Sequence, residues 1–281
     1  MSKLKDLLDQ VKKIIPINKI SISLMAVCTL ILIWGGIRAC TQAPLVPRTH
    51  LYVIARDPTW YPLNLMGKEK TVLAFTSDLL TTIAKRQNLR IELVNVSSNY
   101  LFEGLSEKEY AALISSLAPS ALNNQYYNFS NPFFFVGPVL IVPADSEIES
   151  LKGMTNRIIG VRRDGNVNFN ITKYNAYYKP YDSMTMAFED LYRDRIDGII
   201  LPVLQAYTYI DTFHKGRFKV VTSPLDDQGL RLVARQTYLS DFLIEEFDTG
   251  LQEIIEDGTY QALCNKWGLI NPLSIQRKNE P

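Results

Sequence analysis

Residues that bind metals or form disulfides are scarce in this sequence. Its 281 residues include three cysteines and two histidines. These are Cys28, Cys40, Cys264, His50 and His214. They are scattered along the chain and match none of the usual spacings of zinc sites, and a fold held by a disulfide framework is excluded as well. With two histidines, no nucleophile can be paired with a base in any specific way, so we expect no enzyme.

An excess of positive charge is also missing. The chain has 30 basic and 29 acidic side chains, which gives a formal net charge of +1. Proteins that bind nucleic acid usually carry a strong basic excess, so no nucleic-acid partner is expected. The hydrophobic fraction of 47% and the charged fraction of 21% are typical of globular proteins. A chain of this length has room for about two lobes with cores of their own.

One long uncharged run lies near the N-terminus. From Ile20 to Ile37 the sequence is ISISLMAVCTLILIWGGI, about the minimum length for a helix that crosses a bilayer. Residues 1–19 contain five lysines and two aspartates. The positive-inside rule therefore predicts that residues 1–19 form a cytoplasmic tail, that residues 20–38 form a membrane segment, and that the body is exported.

Two main interpretations of this N-terminal segment remain open. The first is an uncleaved signal anchor. The second is a bacterial lipoprotein signal peptide in which Cys40 becomes lipidated. Ile37 and Ala39 fit a lipoprotein site, whereas a charge at Arg38 is unusual there. A soluble secreted product is a third alternative. In all three cases the body of the protein is extracytoplasmic.

After a tether at residues 39–50, strand-like and helix-like patterns alternate. The predicted strands are 51–55, 91–96, 111–115, 157–161, 197–201, 218–221 and 230–235. The predicted helices are 75–86, 183–195, 203–213, 240–256 and 259–267. Alternating strands and helices predict an α/β fold with mostly parallel sheets. The pattern restarts after residues 133–142, which predicts two lobes with a ligand cleft at the carboxyl ends of their strands.

Several short motifs follow one another through the body of the chain. They are Asp57–Leu63 (DPTWYPL), Ala74–Leu80 (AFTSDLL), Ser115–Leu117 with Phe129–Phe133 (SSL and FSNPF), Leu151–Gly153 with Ile159–Val161 and Gly165, Leu191–Gly198 (LYRDRIDG), and Asp257–Tyr260 with Lys266–Gly268 (DGTY and KWG). Their order over residues 51–269 resembles that of the periplasmic amino-acid-binding proteins of ABC importers, the solute-binding protein family 3 type. The sequence departs from the family pattern at Asp194, which replaces a glycine.

The resemblance implies a type II periplasmic-binding-protein fold. Lobe one would be residues 51–138 and 230–270, and lobe two residues 139–229, followed by a C-terminal tail at 271–281. Two chain crossings would let the lobes close over a small ligand. The resemblance also implies an ABC permease in the inner membrane as partner, a periplasmic location for the body, and neither cofactor nor metal.

The resemblance assigns a ligand site residue by residue in lobe one. Trp60, with Tyr61 beside it, matches the aromatic ring that stacks on the ligand. Asp57 matches a carboxylate that reads a cationic ligand group. Ser115 and Ser116 match the residues that offer backbone and hydroxyl partners.

Both charged arms of the family's amino-acid clamp are missing from the matching positions. The arginine that binds the ligand carboxylate falls on Asn123, and the aspartate that holds the ligand ammonium falls on Pro202. Ala118 stands where a hydroxyl is common, and the lobe-two threonine after Gly165 falls on Asn166. Each charge-assisted hydrogen bond contributes about 1.5–3 kcal/mol. We therefore expect standard free α-amino acids to bind weakly or not at all.

Other cations and other functions remain open at this point. Arg162 and Arg163, beside the predicted lobe-two loop, are alternative partners for a ligand carboxylate, although two solvated charges are the plainer interpretation. The leading hypothesis is a membrane-tethered receptor that delivers an amino-acid-like, peptide or less charged solute to a permease. The alternatives are a degenerate binding protein that acts as an envelope scaffold or sensor partner, and an enzyme on the same fold.

Overall fold

The computed structural model describes residues 50–163, 174–213 and 215–274. The strands are β1 (Leu51–Arg56), β2 (Arg90–Asn95), β3 (Ala112–Ser115), β4 (Tyr127–Phe129), β5 (Phe134–Phe135), β6 (Pro138–Pro143), β7 (Ile158–Arg162), β8 (Tyr177–Tyr181), β9 (Gly198–Pro202), β10 (Phe218–Val220) and β11 (Gly229–Arg235). The α-helices are α1 (Glu69–Arg86), α2 (Leu101–Glu107), α3 (Met184–Tyr192), α4 (Val203–Phe213), α5 (Tyr238–Glu256) and α6 (Thr259–Lys266). Short 3-10 turns lie at Asn123–Gln125, Leu151–Met154 and Pro272–Ser274.

Sheet one contains the first strands of the chain and one strand that arrives much later. Its strand order is β2-β1-β3-β11-β4, and β5 pairs with the start of β11. The early strands β1, β2 and β3 are parallel, whereas β11 runs antiparallel to β3. Helices α1, α2, α5 and α6 pack in this lobe. Ala55, Leu113 and Val233 lie side by side in the sheet and are fully buried together with Leu105 of α2.

Sheet two is built entirely from the middle of the chain. Its order is β10-β6-β9-β7-β8, with β7 parallel to β8 and β9, and β6 antiparallel to β9 and β10. Helices α3 and α4 pack against it. Leu140, Met154, Ile159 and Ile200 are buried in its core. The α/β class predicted from the alternating pattern is therefore confirmed. The expectation of mostly parallel sheets is wrong, because β6 and β11 run antiparallel to their neighbours.

The chain passes between the two sheets twice, and the two crossings touch each other. Val136 N donates to the carbonyl of Gln228 at 2.9 Å, and Leu225 N donates to the carbonyl of Pro138 at 2.8 Å. A Cβ at Gly229 would overlap the carbonyl oxygen of Phe134. Glycine is therefore required at position 229 for the crossings to approach this closely.

Several predicted segments cannot be placed. The tail at 1–19, the membrane segment at 20–38, Cys40 and the tether up to residue 49 lie outside the described residues, as do residues 275–281 of the C-terminal tail. In the part of the chain that the structure describes, none of the helices combines the length and the hydropathy needed to span a membrane.

Candidate functional site

The carboxyl ends of the parallel strands in both sheets lie next to the crossings. In sheet one, Ser115 at the end of β3 pairs with Arg231, two residues after β11 begins at the second crossing. In sheet two, Pro202 at the end of β9 pairs with Pro138, the first residue of β6 after the first crossing. Open α/β sheets bind ligands at this edge, because loops and unpaired backbone groups converge there. The two edges together form the candidate site.

Asp57 stabilises the loop that follows β1. Its Oδ1 accepts from Thr59 N at 2.9 Å, and its Oδ2 accepts from Thr59 Oγ1 at 2.7 Å. The residue is 5% exposed. An aspartate that binds the backbone two residues on closes a turn. In this conformation both carboxylate oxygens are therefore used within the loop.

The two aromatic residues of the same loop have different environments. Trp60 is 3% exposed, and its Nε1 donates to the carbonyl of Glu69 at 3.0 Å. Its φ of 59° lies in the left-handed region, which costs a bulky residue roughly 1–2 kcal/mol; burial of the indole ring offsets this cost. Tyr61 is 74% exposed. The ring that is open for stacking on a ligand is therefore that of Tyr61, whereas Trp60 anchors the loop to the start of α1.

The segment after β3 is held by its own polar groups. Ser115 Oγ accepts from Leu117 N at 3.0 Å. Asn123 is half-buried, and its Nδ2 donates to the carbonyl of Ala118 at 2.9 Å. Ser116 is also half-buried. The segment presents amide and hydroxyl groups but no charge where the family pattern has an arginine.

In lobe two, the structure describes three of the residues considered for ligand binding, namely Pro202, Arg162 and Arg163. Pro202 is exposed and has no N–H to donate. Arg163 forms an ion pair with Asp182, with 2.5 Å between Nε and Oδ1, and both side chains are exposed. Arg162 is exposed as well. Gly165 and Asn166 lie outside the described residues.

Two buried arginines at the edge of sheet one were not predicted as site residues. Arg56, the last residue of β1, is 9% exposed, and Arg231 is 2% exposed. Burial lowers the pKa of Arg56. Arg231 Nη2 donates to the carbonyl and to Oδ2 of Asp227, and its Nε is buried without a partner. The available signal for burial was an arginine next to apolar strand residues: Arg56 ends LYVIAR, and Arg231 lies between two leucines in LRLVAR.

A cavity of about 600 Å³ lies beside the second crossing rather than at the strand ends. Asp226, Asp227 and Asp248 line it together with apolar residues that include Phe135 and Leu251. Burial raises the pKa of Asp226 and raises that of Asp248 to about 6. Among the described residues predicted to bind the ligand, none lines this cavity, so it is distinct from the candidate site.

A comparison of the whole sequence with known protein families agrees with the fold. The sequence profile of the bacterial extracellular solute-binding proteins, family 3, matches residues 52–270. The chain belongs to this family. The resemblance drawn from the short motifs is thereby confirmed.

Two relatives illustrate how far this family 3 protein has diverged. It is 25% identical over 224 residues to the arginine-binding periplasmic protein of Mannheimia haemolytica, which covers 76% of this chain and 90% of the relative. It is 24% identical over 216 residues to the ABC transporter arginine-binding protein 1 of Escherichia coli K12. This match covers 74% of this chain and 87% of the relative. Both relatives are named as arginine-binding proteins.

Solved structures share the two-lobed fold of this family 3 protein. The L-cystine solute receptor of Neisseria gonorrhoeae, in its unliganded open conformation, superposes with a TM-score of 0.56 at 16% identity, over 77% of this chain and 92% of that chain. Substrate binding domain 2 of Lactococcus lactis GlnP, also open, gives a TM-score of 0.52 at 16% identity, over 80% and 98%. At such identities these similarities show the fold alone.

Proposed function

We propose that this family 3 protein is the extracytoplasmic receptor of an ABC importer, which closes two lobes over a small solute and delivers it to the permease. The observation that carries the proposal is the placement of Ser115 and Pro202, each at a strand end beside a crossing. Two strand-end edges joined by two crossings form the type of cleft that closes by hinge motion. The names of the relatives, which include an ABC transporter arginine-binding protein, support the same class of function.

The proposal includes a tether to the bacterial cytoplasmic membrane through residues 20–38. The uncharged run and the lysines before it support an N-terminus inside and a body outside. Protease added to spheroplasts should then remove the body, and full protection would contradict this orientation. Mass spectrometry of the peptide around Cys40 distinguishes an uncleaved anchor from a lipoprotein.

The ligand in this proposal is not a standard amino acid held by the family's two charged arms. Asn123 supplies a neutral amide whose Nδ2 already donates a hydrogen bond to the carbonyl of Ala118. Asp57 is engaged with Thr59, and Pro202 brings no charge. Tyr61 offers a flat exposed ring on which a partly planar solute can stack.

Thermal unfolding of the full-length chain against a solute library tests the proposal. A ligand that binds only the native state at about 100 times its Kd stabilises it by about 2.7 kcal/mol, so one solute class should raise the Tm. Tyr61→Ala should weaken that binding by about fivefold, since a stacking contact contributes about 1 kcal/mol. Tyr192→Ala is the matched control, because Tyr192 is 56% exposed at the end of α3, toward the amino end of β9.

The outcomes separate a receptor from a scaffold. A receptor also becomes more compact with ligand, which small-angle scattering detects as a smaller radius of gyration. If no solute raises the Tm, the chain is a degenerate member that serves as an envelope scaffold or sensor partner. If Tyr192→Ala weakens binding as much as Tyr61→Ala, the ligand site has been placed wrongly.

A further inference from the structure

The carboxyl end of β1 carries a buried positive charge whose partners are all neutral. Arg56 Nε donates to Asn95 Oδ1 at 3.1 Å. Its Nη1 donates to Ser77 Oγ at 2.8 Å and to the carbonyl of Leu73 at 3.2 Å. Within the described residues, no carboxylate forms an ion pair with this guanidinium. Three neutral oxygens therefore hold a cation that is nine-tenths buried.

Such an arrangement is costly unless something else supplies the opposite charge. The effective penalty for burying an ion is several kcal/mol, and neutral hydrogen-bond acceptors offset only part of it. Burial accordingly lowers the pKa of Arg56. An uncompensated charge at a ligand-binding edge is a functional candidate on these grounds. Nη2 of Arg56 donates no hydrogen bond to the described residues and is not one of the fully buried atoms without a partner.

The backbone of Arg56 ends at the strand-end edge that forms the candidate site, and its side chain contacts β2 and α1 there. It pairs with Ile114 across β1 and β3, so that Ser115 is the next residue at the same edge. Neighbouring strands are about 4.8 Å apart. The β1 terminus is therefore one strand away from Ser115 and within the length of a small ligand. Asp57, which follows Arg56 in the chain, uses its carboxylate on Thr59.

Two other arginines near the cleft have an acidic counter-ion, which Arg56 lacks among the described residues. Arg231 has Asp227 as its counter-ion, with 3.2 Å between Nη2 and Oδ2. Arg163 has Asp182 as its counter-ion and is exposed on lobe two. Among these three, Arg56 alone is buried without an acidic partner in the described part of the chain.

We infer that Arg56 binds the carboxylate of the solute, in place of the arginine that the family pattern has at Asn123. Its position lies on β1 rather than after β3, so the carboxylate sits nearer to the loop of Tyr61. Because Pro202 offers no carboxylate to a ligand ammonium, the preferred solutes are organic carboxylates that do not need an α-ammonium group. This inference rests on the proposed receptor function.

Calorimetry with paired probes on the full-length chain tests the inference. The probes are phenylalanine, N-acetylphenylalanine, 3-phenylpropanoate and arginine, each compared with its primary carboxamide. A charged hydrogen bond of 1.5–3 kcal/mol corresponds to a preference for the acid of roughly 10- to 150-fold. We expect such a preference in the wild type, and we expect the two probes without an ammonium to bind at least as tightly as phenylalanine.

Variants assign this preference to one side chain. Arg56→Gln should reduce the ratio of acid to amide affinity to about one, whereas a merely structural role would weaken acid and amide equally. Arg163→Gln removes the same charge from lobe two and should leave the ratio unchanged. If Arg56→Gln does not fold, Arg56→Lys is used instead. The lysine keeps the positive charge but lacks the planar guanidinium that donates two hydrogen bonds to a carboxylate, so it should lower the ratio of acid to amide affinity by about tenfold.

The possible results separate failure of the inference from failure of the proposed function. An unchanged ratio in Arg56→Gln or Arg56→Lys overturns the role of Arg56, and so does loss of the ratio in Arg163→Gln. A wild type that binds a solute of the wider library but prefers none of the acids over its amide overturns the inference and leaves the receptor function standing. A wild type that binds no solute at all refutes both.

Discussion

Asp248 provides the sharpest test of the energetics of this structure. It lies on α5, where its Oδ1 accepts from Asn131 N at 2.9 Å, and it lines the cavity of about 600 Å³ beside the second crossing. Burial raises the pKa of this carboxyl from its ordinary value near 3.8 to about 6, although the hydrogen bond and the charge of Arg231 act in the opposite direction. The folded protein therefore holds this proton more tightly than the unfolded chain does.

The direction of the pH effect follows from this difference. Below about pH 4 the carboxyl is protonated in both states and costs nothing. As the pH rises from about 4 to 6, the unfolded state loses the proton first, so the free energy of unfolding falls. Above about pH 6 the full penalty is present. A shift of about two pKa units corresponds to roughly 3 kcal/mol. Because Asp248 is still partly in contact with solvent, screening reduces this to about 1–1.5 kcal/mol.

Asp248→Asn should remove the penalty, because an amide resembles the protonated carboxyl and its oxygen can still accept from Asn131. We expect the variant to be about 1 kcal/mol more stable than the wild type at pH 7 and equally stable at pH 4. Urea unfolding at pH 4, 5, 6 and 7 measures both proteins. Glu245→Gln, at an exposed position of the same helix, is the control for the loss of one negative charge. A variant whose stability difference from the wild type does not change with pH refutes the reasoning.

Two further outcomes are expected from residues outside the candidate site. Gly229→Ala should lower the free energy of unfolding by about 1–3 kcal/mol, because its Cβ would overlap backbone atoms of Phe134 that cannot rotate away; an unchanged Tm would contradict this. Cys264 is 1% exposed and burial raises the pKa of its thiol to about 12, so iodoacetamide at pH 8 should label it at least about 100-fold more slowly in the native protein than in urea. Peptide mapping by mass spectrometry measures both rates, and equal rates would show that the thiol is accessible.

Long apolar patterns made most of the fold predictable. The run DGIIL becomes β9, LRLVAR becomes β11, and the predicted helix at 203–213 is α4 with the same bounds. Apolar runs bounded by turn residues specify a strand locally, so distant contacts are not needed to identify it. The helix predicted from residue 75 begins earlier, at Glu69, because the loop with Trp60 packs on its first turn.

Elements that depend on their neighbours were missed. The strand β8, with the sequence YYKPY, contains a lysine and a proline. The proline is tolerated because β8 is an edge strand of sheet two, where a missing backbone donor can face away from the sheet. The seven-residue helix α2 is too short to show a clear period and contains Gly104. A Cβ at Gly104 would lie 2.8 Å from the Tyr110 hydroxyl, a constraint that appears only once the chain is folded.

The candidate site was harder to predict than the fold. Trp60 and Tyr61 are adjacent aromatics, and the sequence does not indicate which one is buried. The answer depends on a left-handed backbone at Trp60 and on the carbonyl of Glu69. The environment of Arg56 likewise depends on Asn95, which lies 39 positions away. Such contacts depend on tertiary packing, so they cannot be predicted from a local sequence pattern.

In sheet one, β11 lies between β3 and β4. Because the chain is synthesised from its N-terminus, this position of β11 determines which sheet can be completed first. The described strands of sheet two all lie between Pro138 and Val220, so they are all synthesised before Gly229. In sheet one, β3 has an open edge and β4 has no partner until β11 arrives. Open edges of this kind are sites of aggregation and of chaperone binding. A nascent or exported chain halted before Gly229 would therefore carry all described strands of sheet two, together with a sheet one whose β3 edge is still unpaired.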